Sequence, residues 1–201
     1  MRNAFRSAFA SVAIVSLGLG LAATASAATK DRESQSATMM DSVMVGGQPM
    51  LPSKTIVNNA VNSADHTTLV AAVKAAGLVD TLQGTGPFTV FAPTNSAFNA
   101  LPAGTVDDLV KPENKTVLTK ILTYHVVPGR LDAAALKQQV KAGNGQATLK
   151  TASGDTLTAL MNGPNNIIIR DGKGGTADIT TYDVHQSNGV IHVLDSVLMP
   201  K

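Results

Sequence analysis

The 201-residue chain is 44% hydrophobic, 3% aromatic and 15% charged, which is enough apolar sequence for one hydrophobic core and is short for two ordinary domains. The formal net charge is +2 and few aromatic residues are available for stacking on bases, so the composition does not support a nucleic-acid-binding surface. Cysteine is absent from the sequence, which excludes disulfides, thiolate metal sites and a cysteine nucleophile.

Residues 1–27 have the three parts of a secretory signal peptide. Arg2 and Arg6 provide the positive start, an apolar stretch follows, and residues 25–27 (Ala-Ser-Ala) match the small-residue cleavage rule. The apolar stretch is shorter than the ~20 residues that span a bilayer. We therefore expect a mature chain that begins at Ala28, is secreted or periplasmic, and has no stable membrane insertion after cleavage.

Residues 28–53 are rich in small and polar residues and show no apolar period of a helix or a strand. This composition predicts a flexible tether. The segment contains a group of methionines: Met39, Met40, Met44 and Met50. Because thioethers are soft ligands that suit Cu(I), these methionines are compatible with a copper site, and the alternative is a tail with incidental methionines.

From about residue 54 the sequence predicts a globular domain that begins with helices. Apolar residues at helical spacing and a β-rich run predict helices at about 56–61, 69–76, 78–82, 97–101, 106–110, 113–123 and 133–142, with strands at 87–92 and 125–127. The expected caps and stops are Asp65 or Thr67, Gly77, Thr94 or Asn95, Asp132 and Gly143.

The C-terminal quarter of the chain predicts short strands. Apolar and β-branched runs lie at 147–149, 157–160, 167–169, 179–182 and 190–193. Asn-Gly and Asp-Gly pairs between them tolerate the positive φ that tight hairpins require. Because helices come first and strands later, the expected class is α+β with a mostly antiparallel sheet.

Three segments together resemble the fasciclin domain family. They are Gly-Pro-Phe-Thr-Val-Phe-Ala-Pro-Thr-Asn at 86–95, Leu-Thr-Tyr-His-Val-Val-Pro-Gly at 122–129, and Asn-Gly-Val-Ile-His-Val-Leu-Asp at 188–195. Their order and spacing are those of the family. The resemblance covers about residues 54–201, and the sequence looks like the small secreted single-domain bacterial members.

The resemblance implies a fasciclin-like β-wedge with several helices packed along one side. It also implies an exported, non-enzymatic binding module, most naturally in cell adhesion or extracellular matrix and envelope interaction, without cofactors or metals. The expected partners are an envelope or matrix polysaccharide, a surface protein or a second copy of the chain. The alternative function is a periplasmic carrier of an apolar or aromatic small molecule, held between the wedge and the helices.

The resemblance draws attention to Tyr124 and His125, because adhesion in animal members has been linked to this segment and to motifs near the third segment. In one interpretation both side chains are exposed to a partner. In the other, the tyrosine ring is buried and the imidazole ties two segments together by hydrogen bonds.

The third segment adds Asn188, His192 and Asp195 as candidate binding residues. His192 lies on an apolar strand, where a hydrogen-bonded core histidine is the default and a ligand role is the alternative. His66 and His185 fall in a predicted loop and at a strand end, and we expect both on the surface. No histidine pair has helical metal-binding spacing, so a zinc site would need His185, His192 and a third, distant ligand.

Motifs for catalysis are absent from the sequence. No Gly-x-Ser-x-Gly occurs, and the adjacent carboxylates Asp107 and Asp108 fit the first turn of a helix better than a glycosidase pair. The Asp-Gly-Lys-Gly-Gly-Thr run at 171–176 lacks the lysine spacing of a phosphate loop and predicts a mobile hairpin loop.

Overall fold

The computed structural model describes residues 42–201, which form seven α-helices and nine strands. The helices are α1 (Ile56–Ala60), α2 (Thr67–Ala76), α3 (Val79–Gln83), α4 (Asn95–Asn99), α5 (Thr105–Leu109), α6 (Lys115–Tyr124) and α7 (Ala133–Ala142), with short 3₁₀ turns at Ala64–His66 and Pro112–Asn114. The strands are β1 (Val43–Val45), β2 (Gln48–Met50), β3 (Phe88–Pro93), β4 (Val126–Pro128), β5 (Gln146–Lys150), β6 (Thr156–Asn162), β7 (Asn166–Arg170), β8 (Thr176–Gln186) and β9 (Gly189–Leu194).

Seven of the strands form one sheet in the order β4-β3-β9-β8-β7-β6-β5. All neighbours in it are antiparallel except β3 and β9, which run parallel from Phe88 opposite Gly189 to Pro93 opposite Leu194. The two ends of the sheet approach each other, since the Ala152 N–H after β5 donates to the Val126 carbonyl of β4 at 2.7 Å. The predicted α+β class with a mostly antiparallel sheet is confirmed.

Local side-chain chemistry sets the helix boundaries. The Thr94 hydroxyl accepts from the Ala97 N–H at 3.3 Å, and the Asp132 carboxylate accepts from the Ala135 N–H at 2.7 Å, as N-caps do. Gly77 ends α2 in the left-handed conformation, with φ of 72°. These three expectations are confirmed. For α2 the predicted caps Asp65 and Thr67 are wrong: the N-cap position is His66, which makes no capping bond, and the Asn95 side-chain oxygen accepts from the Thr68 N–H in the first turn at 3.0 Å.

Two buried apolar clusters lie on different parts of the sheet. The first joins α1–α4 and α6 to β3 and β9, with Leu69, Phe98, Leu122 and Ile191 among its members. The second fills the curved β5–β9 sheet beneath α7 and includes Leu136. The alternating burial of β5 follows from this arrangement, because one face of the strand meets the core and the other meets solvent.

The predicted tether at 28–53 is wrong for its C-terminal part. Residues 43–50 form a β1–β2 hairpin, and the Val45 and Met50 side chains are buried against the domain. Gly46 and Gly47 both have positive φ, which the two-residue turn of this hairpin requires. Met44 is exposed but Met50 is buried, so Met50 is not available to an exposed copper site.

The leader and residues 28–41 of the predicted tether, with Met39 and Met40, lie outside the described residues. Within residues 42–201, no helix combines the length and the apolar character needed to cross a bilayer.

Gly189 provides the first test of the fold, because a Cβ there would lie 2.0 Å from the Phe88 carbonyl oxygen and 3.0 Å from Ile56 Cδ1. We expect Gly189→Ala to separate β3 from β9 and to lower the free energy of unfolding by about 3 kcal/mol, measured by urea denaturation. Gly163→Ala is the control, because its Cβ meets nothing within 4 Å and only φ strain of about 1 kcal/mol remains. Equal losses in the two variants would contradict this account.

Candidate functional site

Tyr124 and His125 lie at the end of α6, whose inward face is built from Leu118, Ile121 and Leu122. This apolar stripe at helical spacing holds α6 against the rest of the core. The side chains of Tyr124 and His125, at the end of the helix, point inward with it. Tyr124 is 0% exposed and His125 is 3% exposed. The interpretation in which both side chains are exposed to a partner is therefore wrong.

The Tyr124 hydroxyl joins two strand connections. It donates to the Thr156 carbonyl at 2.9 Å and accepts from the Gly172 N–H at 2.8 Å, which links the start of β6 to the β7–β8 turn. Burial raises the pKa of the phenol above its ordinary value, so the hydroxyl stays protonated and keeps its donor role.

The His125 imidazole makes a hydrogen bond at each ring nitrogen. Nδ1–H donates to the Ile121 carbonyl at 2.8 Å, and Nε2 accepts from the Leu198 N–H at 3.0 Å. Burial lowers the pKa of His125 to about 4, because a charged ring would be desolvated and would present a proton to the Leu198 N–H. His125 is thus a neutral link between α6 and the C-terminal segment.

Asn188 and His192 are also buried and fully engaged. The Asn188 side chain accepts from the Ile56 N–H at 3.0 Å and donates to the Leu82 and Gly84 carbonyls at 2.8 and 3.0 Å, so it ties α1 and the end of α3 to the start of β9. His192 Nε2–H donates to the Leu131 carbonyl at 2.8 Å.

The surroundings of His192 are those of a core residue. Its ring stacks on Phe91 and meets Tyr182 edge-on, with centroids 5.7 and 6.1 Å away. Burial lowers the pKa of His192, which keeps the ring neutral. The default interpretation of a hydrogen-bonded core histidine is confirmed. Asp195 is exposed, and its carboxylate accepts from the Asp178 N–H at 2.9 Å.

The remaining histidines divide between surface and core. His185 is exposed on β8, as expected. The surface prediction for His66 is wrong, because the β1–β2 hairpin covers this side chain and leaves it 3% exposed. Among residues 42–201, no group of three or more histidine and acidic side chains is placed to hold a metal ion.

A polar cleft of about 230 Å³ opens above the Tyr124 hydroxyl. We call it the Tyr124 cleft; it is lined by Tyr124, Asp155, Thr156, Thr158, Asp171, Gly172 and Lys201. The Lys120 ammonium contacts two of these residues, 3.5 Å from the Asp155 carboxylate and 3.2 Å from the Lys201 carbonyl. The cleft therefore presents a carboxylate, ammonium groups and threonine hydroxyls to solvent.

Asp171 gives the cleft a fixed edge. One carboxylate oxygen accepts from the Lys173 and Gly175 N–H groups at 3.0 and 2.7 Å, and the other accepts from the Met199 N–H at 2.9 Å. The loop at 171–176 connects β7 and β8 as expected, but these hydrogen bonds make it an ordered turn rather than a mobile loop.

The sequence did not identify the cleft residues as a site. Asp171 lies in the predicted hairpin loop at 171–176, and Asp155, Thr158 and Lys201 belong to no motif that points to a site. Their convergence depends on the sheet bringing β6, the β7–β8 turn and the C-terminal segment to one place. Asp107 and Asp108 do lie in the first turn of α5, as predicted.

An apolar cavity lies beneath α1, α2 and α3, and His125 forms part of its wall. Its volume is about 40 Å³. An engineered cavity that accepts benzene has about 150 Å³, so this space is too small for an aromatic ligand unless the helices move. The cavity therefore gives no direct support to the small-molecule carrier.

Comparison with known proteins gives one family. The model of the fasciclin domain matches residues 64–200. Protein sll1483 of Synechocystis is 45% identical over 96% of this chain and 94% of its own length. The cell surface glycolipoprotein MPB83 of Mycobacterium bovis is 37% identical over 61% of this chain and 48% of its own length.

A solved structure shows the same fold. The FAS1 domain pair from the insect cell adhesion molecule fasciclin I superposes with a TM-score of 0.65 at 20% identity, over 74% of this chain and 52% of that chain.

The engaged His125 ring predicts a pH-dependent stability effect. His125→Ala leaves the Leu198 N–H unpaired and opens a cavity, so the free energy of unfolding should fall by about 3 kcal/mol at pH 7. Because the pKa of His125 is lowered to about 4, its stabilisation is complete above the ordinary value of 6.5 and is lost as the pH falls through about 4.

Urea denaturation of wild type and His125→Ala at several pH values tests this. The difference between them should be largest at neutral pH and should shrink towards pH 4. The exposed His185→Ala is the control, with an expected change within about 0.5 kcal/mol. A His125→Ala variant as stable as His185→Ala at neutral pH would contradict the assigned link.

Proposed function

Because this chain belongs to the fasciclin domain family, we propose that it is an exported binding module of the adhesion type, which acts at the cell envelope or in the extracellular matrix without catalysis. Two similar proteins, one a cell surface glycolipoprotein and the other a cell adhesion molecule, support this role. The expected signal peptide at residues 1–27 supports export.

We place the contact site at the Tyr124 cleft because of where this cleft lies. The Tyr-His motif is buried, but the hydroxyl of Tyr124 forms the floor of this solvent-open cleft. The motif therefore supports binding indirectly: the Tyr124 hydroxyl holds Thr156 and Gly172 in place, and both residues line the cleft. Loops and turns fixed on a rigid scaffold are common binding sites, and the cleft edges are two such turns.

The chemistry of the cleft favours a polysaccharide as the partner. Asp155 offers acceptors, Lys120 and Lys201 offer donors, and the Thr158 hydroxyl offers both, which matches the many hydroxyl groups of a glycan. An apolar protein hot spot would need a buried aromatic or aliphatic anchor in the cleft, and its lining is mainly polar. A surface protein or a second copy of the chain is the alternative outcome of the test.

Removal of two charged groups of the cleft should weaken binding without unfolding the domain. We expect Asp155→Asn combined with Lys201→Gln to keep the wild-type melting temperature and to bind the isolated envelope polysaccharide of the host at least tenfold more weakly, by a sedimentation assay. A tenfold loss corresponds to about 1.4 kcal/mol, which is in the range of a few charge-assisted hydrogen bonds.

The matched control is Asp107→Asn combined with Lys141→Gln, which removes the same charges from exposed positions on α5 and α7. This variant should bind like the wild type. Wild-type binding by both double variants would exclude the cleft as the contact. If the wild type binds a purified surface protein or itself and no polysaccharide, the assigned partner class is wrong.

A cellular experiment tests the adhesion role separately. Cells that lack the gene should attach and aggregate less than the parent strain, and the wild-type protein should restore both at matched secreted amounts. The cleft variant should fail to restore attachment, whereas the control variant should succeed. An unchanged deletion strain would contradict the adhesion role whatever the purified protein binds.

A further inference from the structure

His66 carries an unusual nitrogen. Nδ1 lies 2.9 Å from the Ser63 hydroxyl, but Nε2 has no hydrogen-bond partner. Among residues 42–201, it is the one buried side-chain nitrogen or oxygen without such a partner. The backbone of Ala92 lies near enough to favour the protonated ring, but it does not meet Nε2 with hydrogen-bond geometry. A buried nitrogen without a hydrogen-bond partner destabilises the closed structure, because the same nitrogen would be hydrogen-bonded to water if it were exposed.

The space beside His66 is small and apolar. Its volume is about 10 Å³, and its other walls are Val45 and Met50 of the hairpin, Ala60, Ala92, Val184, Ile191 and Val193. None of these side chains is charged or titratable, and the one acceptor among them is the weak thioether sulfur of Met50. A neutral ring is tolerated here, whereas an imidazolium would be a buried charge without an acceptor at Nε2.

The charged groups around His66 do not compensate such a charge inside the cavity. Asp65, on the same 3₁₀ turn, is exposed, and its carboxylate raises the pKa of His66 less than burial lowers it. The hairpin, α1, β3 and α4 contribute no charged residue. On β8, His185 is exposed, whereas Asp183 accepts from the Ala133 N–H on α7.

The hairpin is attached in a way that permits it to lift. The Ala64 N–H donates to the Gly46 carbonyl at a long 3.4 Å, and the packing is provided by the buried Val45 and Met50 and the partly buried Val43. The chain is clamped after the hairpin, because the Asn59 side chain bonds both the N–H and the carbonyl of Leu51, at 3.2 and 2.8 Å. Residues 43–50 can therefore detach while Leu51 stays in place.

We propose that the β1–β2 hairpin is an acid-released flap: protonation of His66 drives the imidazolium towards water and lifts residues 43–50 from the domain. Lifting uncovers Val45, Met50 and the apolar strip formed by Val184 and Ile191. In an exported protein this flap would expose apolar surface in response to external acidification, and that consequence rests on the proposed function.

The direction of the pH dependence follows from linkage. Burial lowers the pKa of His66 below the ordinary 6.5, so a detached, hydrated ring binds a proton more readily than the buried ring. The closed hairpin is fully favoured above pH 6.5 and loses stability as the pH falls through the lowered value. The pKa of His125 is near 4, so His125 stays neutral at pH 5 and above.

Methionine oxidation provides the test, because the hairpin contains an exposed and a buried thioether. Met44 is 60% exposed and Met50 is 3% exposed. With dilute hydrogen peroxide on the full mature chain, mass spectrometry should show a Met50 sulfoxide rate that rises at least fivefold from pH 7.5 to pH 5. The Met44 rate should stay constant, which controls for the chemistry of the oxidant.

Two further measurements separate local release from other causes. Deuterium uptake by Phe88–Pro93 should stay slow over the same range, because the parallel pair remains intact. His66→Leu should keep Met50 protected at pH 5, whereas the exposed His185→Gln should behave like the wild type. Constant Met50 protection in the wild type would overturn the proposal, as would exposure of Met50 together with rapid uptake by β3.

If His66→Leu folds and still loses Met50 protection at pH 5, His66 is not the trigger and the proposal fails. If that variant does not fold, the wild-type pH profile of Met50 against Met44 and β3 decides alone. The adhesion assays do not measure the hairpin, so failure of the flap leaves the proposed function standing, and failure of adhesion leaves the flap standing.

Discussion

The parallel pairing of β3 with β9 is the constraint on which the rest of the domain depends. It joins segments about a hundred residues apart, from Phe88 opposite Gly189 to Pro93 opposite Leu194. β4 extends the sheet from β3, and β8 to β5 extend it from β9. Pairing at such sequence separation carries a large loop-closure cost. Full burial of β9 and the side-chain hydrogen bonds at the ends of the pair offset this cost.

Hydrogen bonds from buried side chains to the backbone explain why polar residues occur in buried segments of this domain. An asparagine at 188 can accept from Ile56 and donate to Leu82 and Gly84 at once, which neither an aspartate nor an apolar residue can do. A neutral histidine at 125 can likewise donate to one backbone group and accept from another. Such residues specify the fold, and the proposed binding surface is the one that they hold in place.

The sequence predicted most local structure because local structure depends on neighbours in the chain. The Thr94 and Asp132 caps and the apolar stripe of α6 are examples. The burial of His66 depends instead on a hairpin whose Gly46-Gly47 turn was the available signal. The Tyr124 cleft joins side chains from four distant segments, so no spacing in the sequence marks it. The buried motif residues are easier to recognise from the sequence than the surface above them.

Nuclear magnetic resonance of the His125 ring and the Leu198 amide tests most directly the claim that the Tyr-His motif is an internal link. The account predicts one neutral tautomer with the proton on Nδ1, no titration between about pH 5 and 8, and slow exchange of the Leu198 amide proton. A ring that titrates near its ordinary value of 6.5, beside a rapidly exchanging Leu198 amide, would show an exposed histidine and contradict the account.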